Sequence, residues 1–356
     1  MNHADKVTPS QKKSMLSVEH LENIIRQFDS QRIAVFGDFF LDKYLDIDHE
    51  LVEKSVETGK TAHQVTGIRH SPGAAGNVAA NLASLGAGTL HAVGVIGDDG
   101  EGYELTSDLN RLGCTTDHLL KTDSMMTPTY MKPRNNKVRG LEGEHDRYDI
   151  KNRLPLSPAL GDDIIEVLAT LRSSVDAVVI IDQVEAVDCG VITTSVRQAL
   201  SEMAVQTGNV IFIADSRART KLFRNTIMKP NQYEATGIQR SVPEQPVDME
   251  MLNARVKELS AQIQAPAFIT CGDRGVMITE PELSLIPAVH LDGELDTTGA
   301  GDSAMAGIIL ALCSGATHTE AAAIGNLAAS VSAEQLGTTG TASPEELVKR
   351  YERWIG

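Results

Sequence analysis

The sequence predicts an α/β fold in which a mostly parallel sheet is covered by helices on both faces. Short and uniformly apolar runs recur along the chain, at 32–38, 176–182, 210–215, 226–231 and 267–271. Helical patterns separate them, at 77–85, 162–172, 191–206, 249–264, 303–312 and 320–334. Apolar strands that alternate with helices are typical of a parallel sheet buried between two helical layers.

Length and composition exclude several classes of protein. A chain of 356 residues with 42% hydrophobic and 22% charged residues is long enough for one large domain with an accessory piece, or for two domains, and it is not disordered. Its 32 basic and 48 acidic residues give a net charge of −16, which disfavours nucleic-acid binding. No apolar run reaches 18 residues and the start lacks a secretory signal, so we expect no membrane contact and a cytoplasmic location. Four cysteines without a CxxC pair fit reduced thiols.

The N-terminal part and two internal segments interrupt the α/β pattern. Residues 1–16 are predicted to form a frayed tail, and 18–28 show the apolar spacing of a helix. Segments 43–71 and 125–150 contain few apolar runs and no long helix. Both segments could be loops, or they could be strands of a small lid that pair in space.

Polar residues follow several predicted strands, namely Asp38, Asp182, Asp215 and Asn231. In open parallel sheets, ligands bind at the carboxyl ends of the strands. The alternative is that these side chains only start turns or cap helices. Their recurrence at the same edge favours a binding site.

The first chemical motif is the small-residue segment 71–87, which contains Gly73, Ala74 and Asn77. Small residues allow a backbone to approach a ligand closely before a helix begins. Asn77 would cap this helix or offer its amide to a ligand hydroxyl. A tightly packed helix start without a ligand is the alternative.

The second motif is 296–307, which contains Gly299, Ala300, Gly301 and Asp302. The Gly-Ala-Gly turn can direct backbone N–H groups to one point, and the helix that starts near Asp302 adds its positive end. This is an anion hole suited to a phosphoryl group. A carboxylate beside it is useful if it takes a proton from an attacking hydroxyl; the alternative is a simple N-cap.

Two common nucleotide motifs are missing. Gly59-Lys60-Thr61 resembles the end of a Walker A loop, but no leading glycine stands at the required position. No GxGxxG segment follows a strand, which argues against a Rossmann dehydrogenase.

Together, the motifs resemble those of the ribokinase (PfkB) carbohydrate-kinase family. Residues 72–77 and 296–302 match its two signatures in order, and 229–234 is similar to its NxxE element. Segments 37–42, 127–134 and 147–149 are similar to the GDxxLD, PTxxKxR and RxD segments of its heptose-phosphate kinase branch. The resemblance implies a ribokinase-like three-layer α/β/α fold with a small β lid. We therefore expect a tail and first helix over 1–30, and a kinase domain over 31–356 whose lid is formed by about 43–71 and 125–150.

The resemblance also implies roles for individual residues. Asp302 matches the catalytic base, and the backbone of Gly299, Ala300 and Gly301 matches the anion hole. Asp42, Gly73 and Asn77 match sugar contacts, and Asn231 and Glu234 match the element that organises Mg²⁺, water and the ATP phosphates. Asn326 matches a residue of the nucleotide site. Asp296 and Thr298 match part of a monovalent-cation site, which commonly holds K⁺.

The implied activity is transfer of the γ-phosphoryl group of ATP to a hydroxyl of a sugar or sugar phosphate, with a heptose phosphate as the leading specific acceptor. An inactive sugar-binding regulator of the same fold is one alternative, but it would not need Asp302. A nucleoside kinase is another, but the charged lid segments and an aromatic content of 4% disfavour a base pocket.

The sequence departs from the family pattern near the acceptor. Ala74 stands where the first signature has its second glycine, so a methyl group narrows the approach to the sugar. Asp182 is followed by Gln183-Val184-Glu185-Ala186 instead of Tyr-x-Lys-Gly, which places Glu185 at the lysine position. Asp215-Ser216-Arg217 replaces Asp-Pro-Lys and retains a cation.

The lid segments lead to two further expectations. Strand alternation places Lys132 and Arg134 on one face, where they would hold a phosphate already on the sugar; a solvated charged strand is the alternative. The lid strands are too small to bury a core alone, so we expect them to pair between two chains in a homodimer.

Overall fold

The computed structural model describes residues 16–135, 137–138, 143–239, 245, 247–336 and 339–356. The predicted tail therefore lies almost entirely outside the described residues, as do residues 136 and 139–142 of segment 125–150. In the described part, no helix is long and apolar enough to cross a bilayer.

A six-stranded parallel sheet forms the centre of the molecule. Its strand order is β10-β9-β8-β1-β4-β5. These strands are β1 (Arg32–Gly37), β4 (Thr89–Gly97), β5 (Cys114–Thr122), β8 (Ala177–Asp182), β9 (Ile211–Ser216) and β10 (Ile227–Met228). The predicted mostly parallel α/β fold is confirmed, and the carboxyl ends of β8, β9 and β10 lie side by side.

Helices cover both faces of this sheet. Successive strand residues point to opposite faces, and both faces carry apolar side chains that the helices bury. Ile33 and Val35 enter one apolar core, whereas Ala34 and Phe36 enter the other. The first core is covered mainly by α1 (Val18–Ile25), α2 (Ala75–Ser84), α3 (Gly100–Arg111), α8 (Ala300–Cys313), α9 (His318–Ser332) and α10 (Pro344–Ile355). The second is covered by α4 (Pro158–Leu171), α5 (Thr194–Gln206), α6 (Gln232–Thr236) and α7 (Met249–Ile263).

A separate four-stranded sheet contains the two segments that interrupted the α/β pattern. Its order is β3-β2-β6-β7, with β2 (Phe39–Lys54), β3 (Thr61–Ala74), β6 (Thr129–Asn135) and β7 (Tyr148–Ile150). β2 and β6 pair in parallel, which joins segments about 90 residues apart in the chain. Of the two alternatives for these segments, strands paired in space are what the structure contains.

A small antiparallel sheet borders β10. It consists of β11 (Phe268–Thr270), β12 (Val276–Ile278) and β13 (Ser284–Ile286). Isolated bridges join Met228 to Ala267 and Asn231 to Thr270, so this sheet continues the edge of the central one.

Some element predictions were wrong. The run 226–231 forms only the two-residue strand Ile227–Met228, because Pro230 and the following helix end the pairing. The predicted helix start near Asp302 lies at Ala300, after the N-cap Gly299. Strands β4, β5, β12 and β13 and helices α3, α6 and α10 were not predicted.

Candidate active site

The turn before α8 brings backbone N–H groups to the edge of the sheet. Gly299 has φ of +81°, and a methyl group there would lie 2.9 Å from the Asn77 Nδ2 atom. Glycine is therefore required both for conformation and for space. The Ala300 N–H donates to the Thr297 carbonyl at 3.2 Å, whereas the Gly301 N–H has no partner among the described residues. The Gly301 N–H is therefore available as a donor of the predicted anion hole.

Asp302 lies in the first turn of α8, three residues after the N-cap, so it is not itself the cap. The Asn77 amide donates a hydrogen bond to its carboxylate, across 225 positions of sequence. Burial, and next the charge of Asp215, raise the pKa of Asp302 to about 6. A carboxylate with a raised pKa at the positive end of a helix has the properties of a general base.

Lys229 is the cation at the bottom of this cleft. Its side chain is buried, and its Nζ atom lies 2.7 Å from Asp215 Oδ2. Burial lowers the pKa of Lys229, but the charges of Asp215, Glu234 and Asp302 outweigh that effect, and the net pKa is raised. A methyl group on Gly301 would lie 3.6 Å from the Nζ atom, so the ammonium group is close to the free N–H of the helix.

Asn231 and Glu234 form a capping box at the start of α6. Asn231 Oδ1 accepts hydrogen bonds from the N–H groups of Tyr233 and Glu234 at 2.9 and 3.0 Å, and Glu234 Oε2 accepts one from the Asn231 N–H at 2.9 Å. The same two residues line the cleft that contains Asp302. Burial, and then the charge of Asp215, raise the pKa of Glu234 to about 7. The predicted ATP- and Mg²⁺-organising element is thus held rigidly by local backbone bonds.

The cavity beside Asp302 has a volume of about 360 Å³ and contains most of the predicted sugar contacts. Asp42, Asn77 and Lys132 line it, and Lys132 Nζ lies 3.0 Å from Asp42 Oδ1. Gly73 lies behind Asp42, since a methyl group there would approach Asp42 Oδ2 to 3.1 Å.

Arg134 does not reach this cavity. Its side chain shares a sheet face with Lys132, as the alternation predicts, but it lies two residues farther along β6, beside Asp46 at 3.9 Å. The paired placement of Lys132 and Arg134 in the cleft was therefore wrong, because two strand residues span about 7 Å. Arg134 lines none of the cavities described here.

A second cavity of about 390 Å³ continues from the first and is rich in cations. Tyr130, Arg147, Gln183 and Arg217 line both cavities. Lys151, Arg153 and Glu185 line the second cavity but not the first. The Arg147 guanidinium lies 4.3 Å from the centre of the Tyr130 ring and pairs with Asp149 at 2.6 Å.

A third cavity of about 510 Å³ lies on the other side of the α8 N-terminus. It is lined by Asn326 of α9, by Ala300 and by apolar side chains such as Leu295. The Asn326 amide donates to the carbonyls of Ile286 and Pro287 at 3.0 and 3.1 Å. This cavity and the one beside Asp302 meet at Asn231, Thr270 and Gly301.

The predicted monovalent-cation residues lie just before the turn. Asp296 Oδ1 accepts the Thr298 N–H at 3.0 Å, and Thr298 lines the Asp302 cavity. Within the described ranges, no cluster of three or more acidic, histidine or cysteine side chains is arranged to hold a metal ion by itself.

Several residues of the cleft were not predicted as site residues. Asp215 lies near the end of β9 and Arg217 follows that strand, Lys229 follows β10, Tyr130 lies in β6, and Arg147 immediately precedes β7. The recurrence of polar residues after strands was the available signal for Asp215, and the Asp215-Ser216-Arg217 segment was the signal for Arg217. Nothing in the local pattern marks Lys229, because its importance depends on the buried carboxylates around it.

Comparisons with known proteins found a matching family model and several relatives. A family model described as "pfkB family carbohydrate kinase" matches residues 31–346. The chain is 28% identical over 330 residues to bifunctional protein HldE of Gluconobacter oxydans (strain 621H), covering 91% of this chain and 65% of that protein. It is 32% identical over 339 residues to bifunctional protein HldE of Caulobacter sp. (strain K31), covering 92% of this chain and 64% of that protein. The chain thus spans about two thirds of the length of these relatives.

Solved structures support the fold. Phosphofructokinase-2 from Escherichia coli in complex with potassium superposes with a TM-score of 0.68 at 18% identity, over 92% of this chain and 99% of the other. Arabidopsis thaliana ribokinase complexed with ribose and ATP gives a TM-score of 0.65 at 18% identity, over 90% and 99%. At this identity the likeness shows a shared ribokinase-like fold.

Proposed function

The chain belongs to the pfkB family of carbohydrate kinases, and we propose that it transfers the γ-phosphoryl group of ATP to a hydroxyl of a sugar that already carries a phosphate, with a heptose phosphate as the acceptor. The observation that carries this proposal is the meeting of two cavities at the N-terminus of α8. Asp302 and the cationic side chains lie on one side of that helix end, and the partly apolar cavity with Asn326 lies on the other. Such an arrangement suits an acceptor and a nucleotide that face each other across an anion hole.

Asp302 acts as the general base in this proposal. Its carboxylate takes the proton of the acceptor hydroxyl as that oxygen attacks phosphorus, and the Asn77 amide orients the carboxylate. The Gly301 N–H and Lys229 Nζ lie where negative charge develops on the phosphoryl oxygens. The four-stranded sheet supplies Asp42 and Lys132, which hold the sugar in place.

The charges of the cleft fit ATP with Mg²⁺. Asp215, Glu234 and Asp302 are three carboxylates around one buried lysine, and burial, followed by the charge of Asp215, raises the pKa values of Glu234 and Asp302. A divalent cation held by few carboxylates and mainly by phosphates and water would compensate the negative charge of these carboxylates. When bound, Mg²⁺ and ATP supply the phosphoryl donor and neutralise its charge.

Cations on the acceptor side support a phosphorylated sugar. Lys132, Arg147 and Arg217 line the Asp302 cavity, and Lys151 and Arg153 line its extension. Arg217 is exposed and, within the described residues, forms no ion pair, so its guanidinium is available to a ligand. Planar guanidinium groups bind phosphate in a bidentate manner. The heptose itself is supported by the motif resemblance and by the similarity to the HldE proteins.

The test is ADP release with a panel of sugars, sugar phosphates and nucleosides, with heptose phosphates among them. We expect a strong preference for a phosphorylated sugar over its unphosphorylated parent. Arg217→Gln should raise KM for that acceptor about tenfold or more with little effect on KM for ATP, because it removes one charge-assisted contact. Arg134→Gln is the matched control on the same side of the molecule and should leave both constants unchanged. A preference for neutral sugars or for nucleosides would refute the proposed acceptor.

We also propose K⁺ as an activating ion bound near Asp296 and Thr298. The hydrogen bond between these residues tightens the turn that leads into α8, so an ion there would stabilise the anion hole. Rates measured in KCl and NaCl at equal ionic strength should be higher in KCl. Equal rates would refute this role of the ion.

A further inference from the structure

The loop 183–186 forms one wall of the acceptor side of the cleft. It leaves the carboxyl end of β8, and all four of its residues line the cationic cavity. Gln183 also lines the cavity that contains Asp302. The position of this loop therefore determines the shape of the space next to the reacting hydroxyl.

Arg219 holds the loop through its carbonyl groups. The side chain is buried, with 8% exposure. One terminal nitrogen donates to Asp182 Oδ1 at 2.8 Å and to the Val184 carbonyl at 2.7 Å. The other donates to the carbonyls of Glu185 and Ala186 at 2.9 and 2.8 Å. One guanidinium thus binds three consecutive carbonyls of the loop.

Asp38 holds the same loop through its N–H groups. Its carboxylate accepts hydrogen bonds from the N–H groups of Gln183 and Val184 at 2.8 and 3.0 Å, and from that of Val191 at 2.7 Å. The loop has no strand or helix partner there, so two buried charged side chains satisfy its backbone. Such charge-assisted bonds are stronger than bonds between neutral groups.

The two charged side chains belong to one buried network. Ser216 Oγ donates a hydrogen bond to Asp182 Oδ2 at 2.6 Å and accepts one from the backbone N–H of Arg219 at 2.8 Å. Arg197, also buried, adds a second guanidinium that interacts electrostatically with Asp182. Two carboxylates and two guanidinium groups therefore balance, and removal of one leaves an uncompensated charge. Residues 183–186 and 216 are among the positions at which the sequence departs from the family pattern, and this network joins them.

Glu185 is the acidic side chain of this loop. It is exposed and lines the cationic cavity, and its carboxylate forms no ion pair with any other described residue. A carboxylate accepts hydrogen bonds from hydroxyl groups and repels a phosphate. In a cavity with Arg147, Lys151, Arg153 and Arg217, it distinguishes the hydroxyl-bearing part of a sugar phosphate from its phosphate end.

We propose that Arg219 is a positioning residue that holds loop 183–186 in place, so that Glu185 accepts hydrogen bonds from the acceptor's hydroxyl groups and determines acceptor specificity. This inference rests on the proposed function, because it takes the cavity beside Asp302 as the acceptor site.

The first experiment uses the ligand-free protein and requires no substrate. Hydrogen exchange is measured on the peptide that contains residues 183–191 in wild type, Arg219→Lys and Arg219→Met. We expect faster exchange in Arg219→Met, an intermediate effect in Arg219→Lys, and no change in the strands of the four-stranded sheet. Arg350→Met is the control, because Arg350 is also buried and ion-paired, with Glu334, but lies in α10. Unchanged exchange in Arg219→Met, or equal changes in the control, would overturn the positioning role.

The second experiment measures KM for the best acceptor of the panel and KM for ATP. Arg219→Met should raise the acceptor KM at least tenfold and change the ATP KM less than twofold, with partial rescue in Arg219→Lys. Glu185→Gln should alter the ranking of acceptors that differ in one hydroxyl group. Parallel changes in both KM values, or an unaltered ranking, would overturn the specificity role. If the wild type releases no ADP with any acceptor, the proposed function and the role of Glu185 fail together, while hydrogen exchange still decides whether Arg219 holds the loop.

Discussion

Asp302 is an unfavourable residue for stability and a favourable one for chemistry. Burial and the charge of Asp215 raise its pKa, so the ionised form costs free energy in the folded protein above that pKa. The same shift makes the carboxylate a better proton acceptor near neutral pH. A residue that costs stability and lies in a cleft is expected at a functional site.

Asp302→Asn should separate these two properties. We expect the turnover number to fall by about 10²–10⁴-fold because the base is lost. ATP affinity should change little, since the Gly301 N–H and Lys229 remain. The thermal midpoint at pH 8 should be no lower than that of wild type, because a buried charge has been removed. Near-normal turnover would remove Asp302 from the role of base.

The pH dependence of the wild type should report the ionisation of Asp302. Its pKa is raised to about 6, and only the ionised form accepts a proton, so kcat/KM should fall as pH decreases below about 6. The expected slope is tenfold per pH unit for a single group. Protonation of Glu234, whose pKa is raised to about 7, should affect ATP binding in a similar range. A flat profile down to pH 5 would contradict the assignment.

Ala74 adopts a backbone conformation that favours glycine. Its φ is +51° and its ψ is −117°, which is strained for a residue with a Cβ atom. Ala74→Gly should therefore stabilise the protein by about 1 kcal/mol, visible as a higher thermal midpoint. Ala80→Gly in the interior of α2 is the opposite control and should destabilise by about 1 kcal/mol. A lower midpoint for Ala74→Gly would show that the strain is absent.

At the scale of elements, the four-stranded sheet has a face that suits association of two chains. Leu45 pairs with Ile68, and Ile47 pairs with Val65 beyond a register shift between Asp46 and Ile47. Ile68 and Val65 are 57% and 43% exposed, which is unusual for paired apolar residues in a sheet. The predicted homodimer would bury them.

Sedimentation at micromolar concentration tests this prediction. The wild type should sediment as a dimer and Ile68→Glu as a monomer, because a charge in an apolar interface is costly. Val205→Glu is the control, since Val205 is also exposed but lies on α5. A monomeric wild type would contradict the homodimer.

Some elements could be predicted from local pattern and others could not. β1 and β8 are continuous apolar runs because both of their faces are buried. β5 is an edge strand of mixed polarity, and α3 begins with Gly100 and Gly102, so neither has a strong local signal. In contrast, the capping box of α10 at Ser343 and Glu346 is visible in the sequence, so the start of this helix could have been predicted.

At the scale of the whole molecule, the sequence was a better guide to which segments lie together than to the detailed contacts between them. The two glycine-containing motifs do come together, and Asn77 contacts Asp302. The cations of the cleft were only partly predicted. Lys132 lines the cavity but Arg134 does not, because the position of a side chain along a strand depends on the register between β2 and β6. The roles of Lys229 and Arg219 arise from long-range contacts and have no local pattern.

Under the proposed function, the two cavities that meet at Asn231, Thr270 and Gly301 predict how the two substrates react. Each substrate would occupy its own cavity, and the phosphoryl group would pass directly between them at the N-terminus of α8. We therefore expect a single displacement within a ternary complex, without a phosphorylated enzyme. It follows that the configuration at a chiral phosphorus is inverted, and that double-reciprocal plots for the two substrates intersect instead of running parallel.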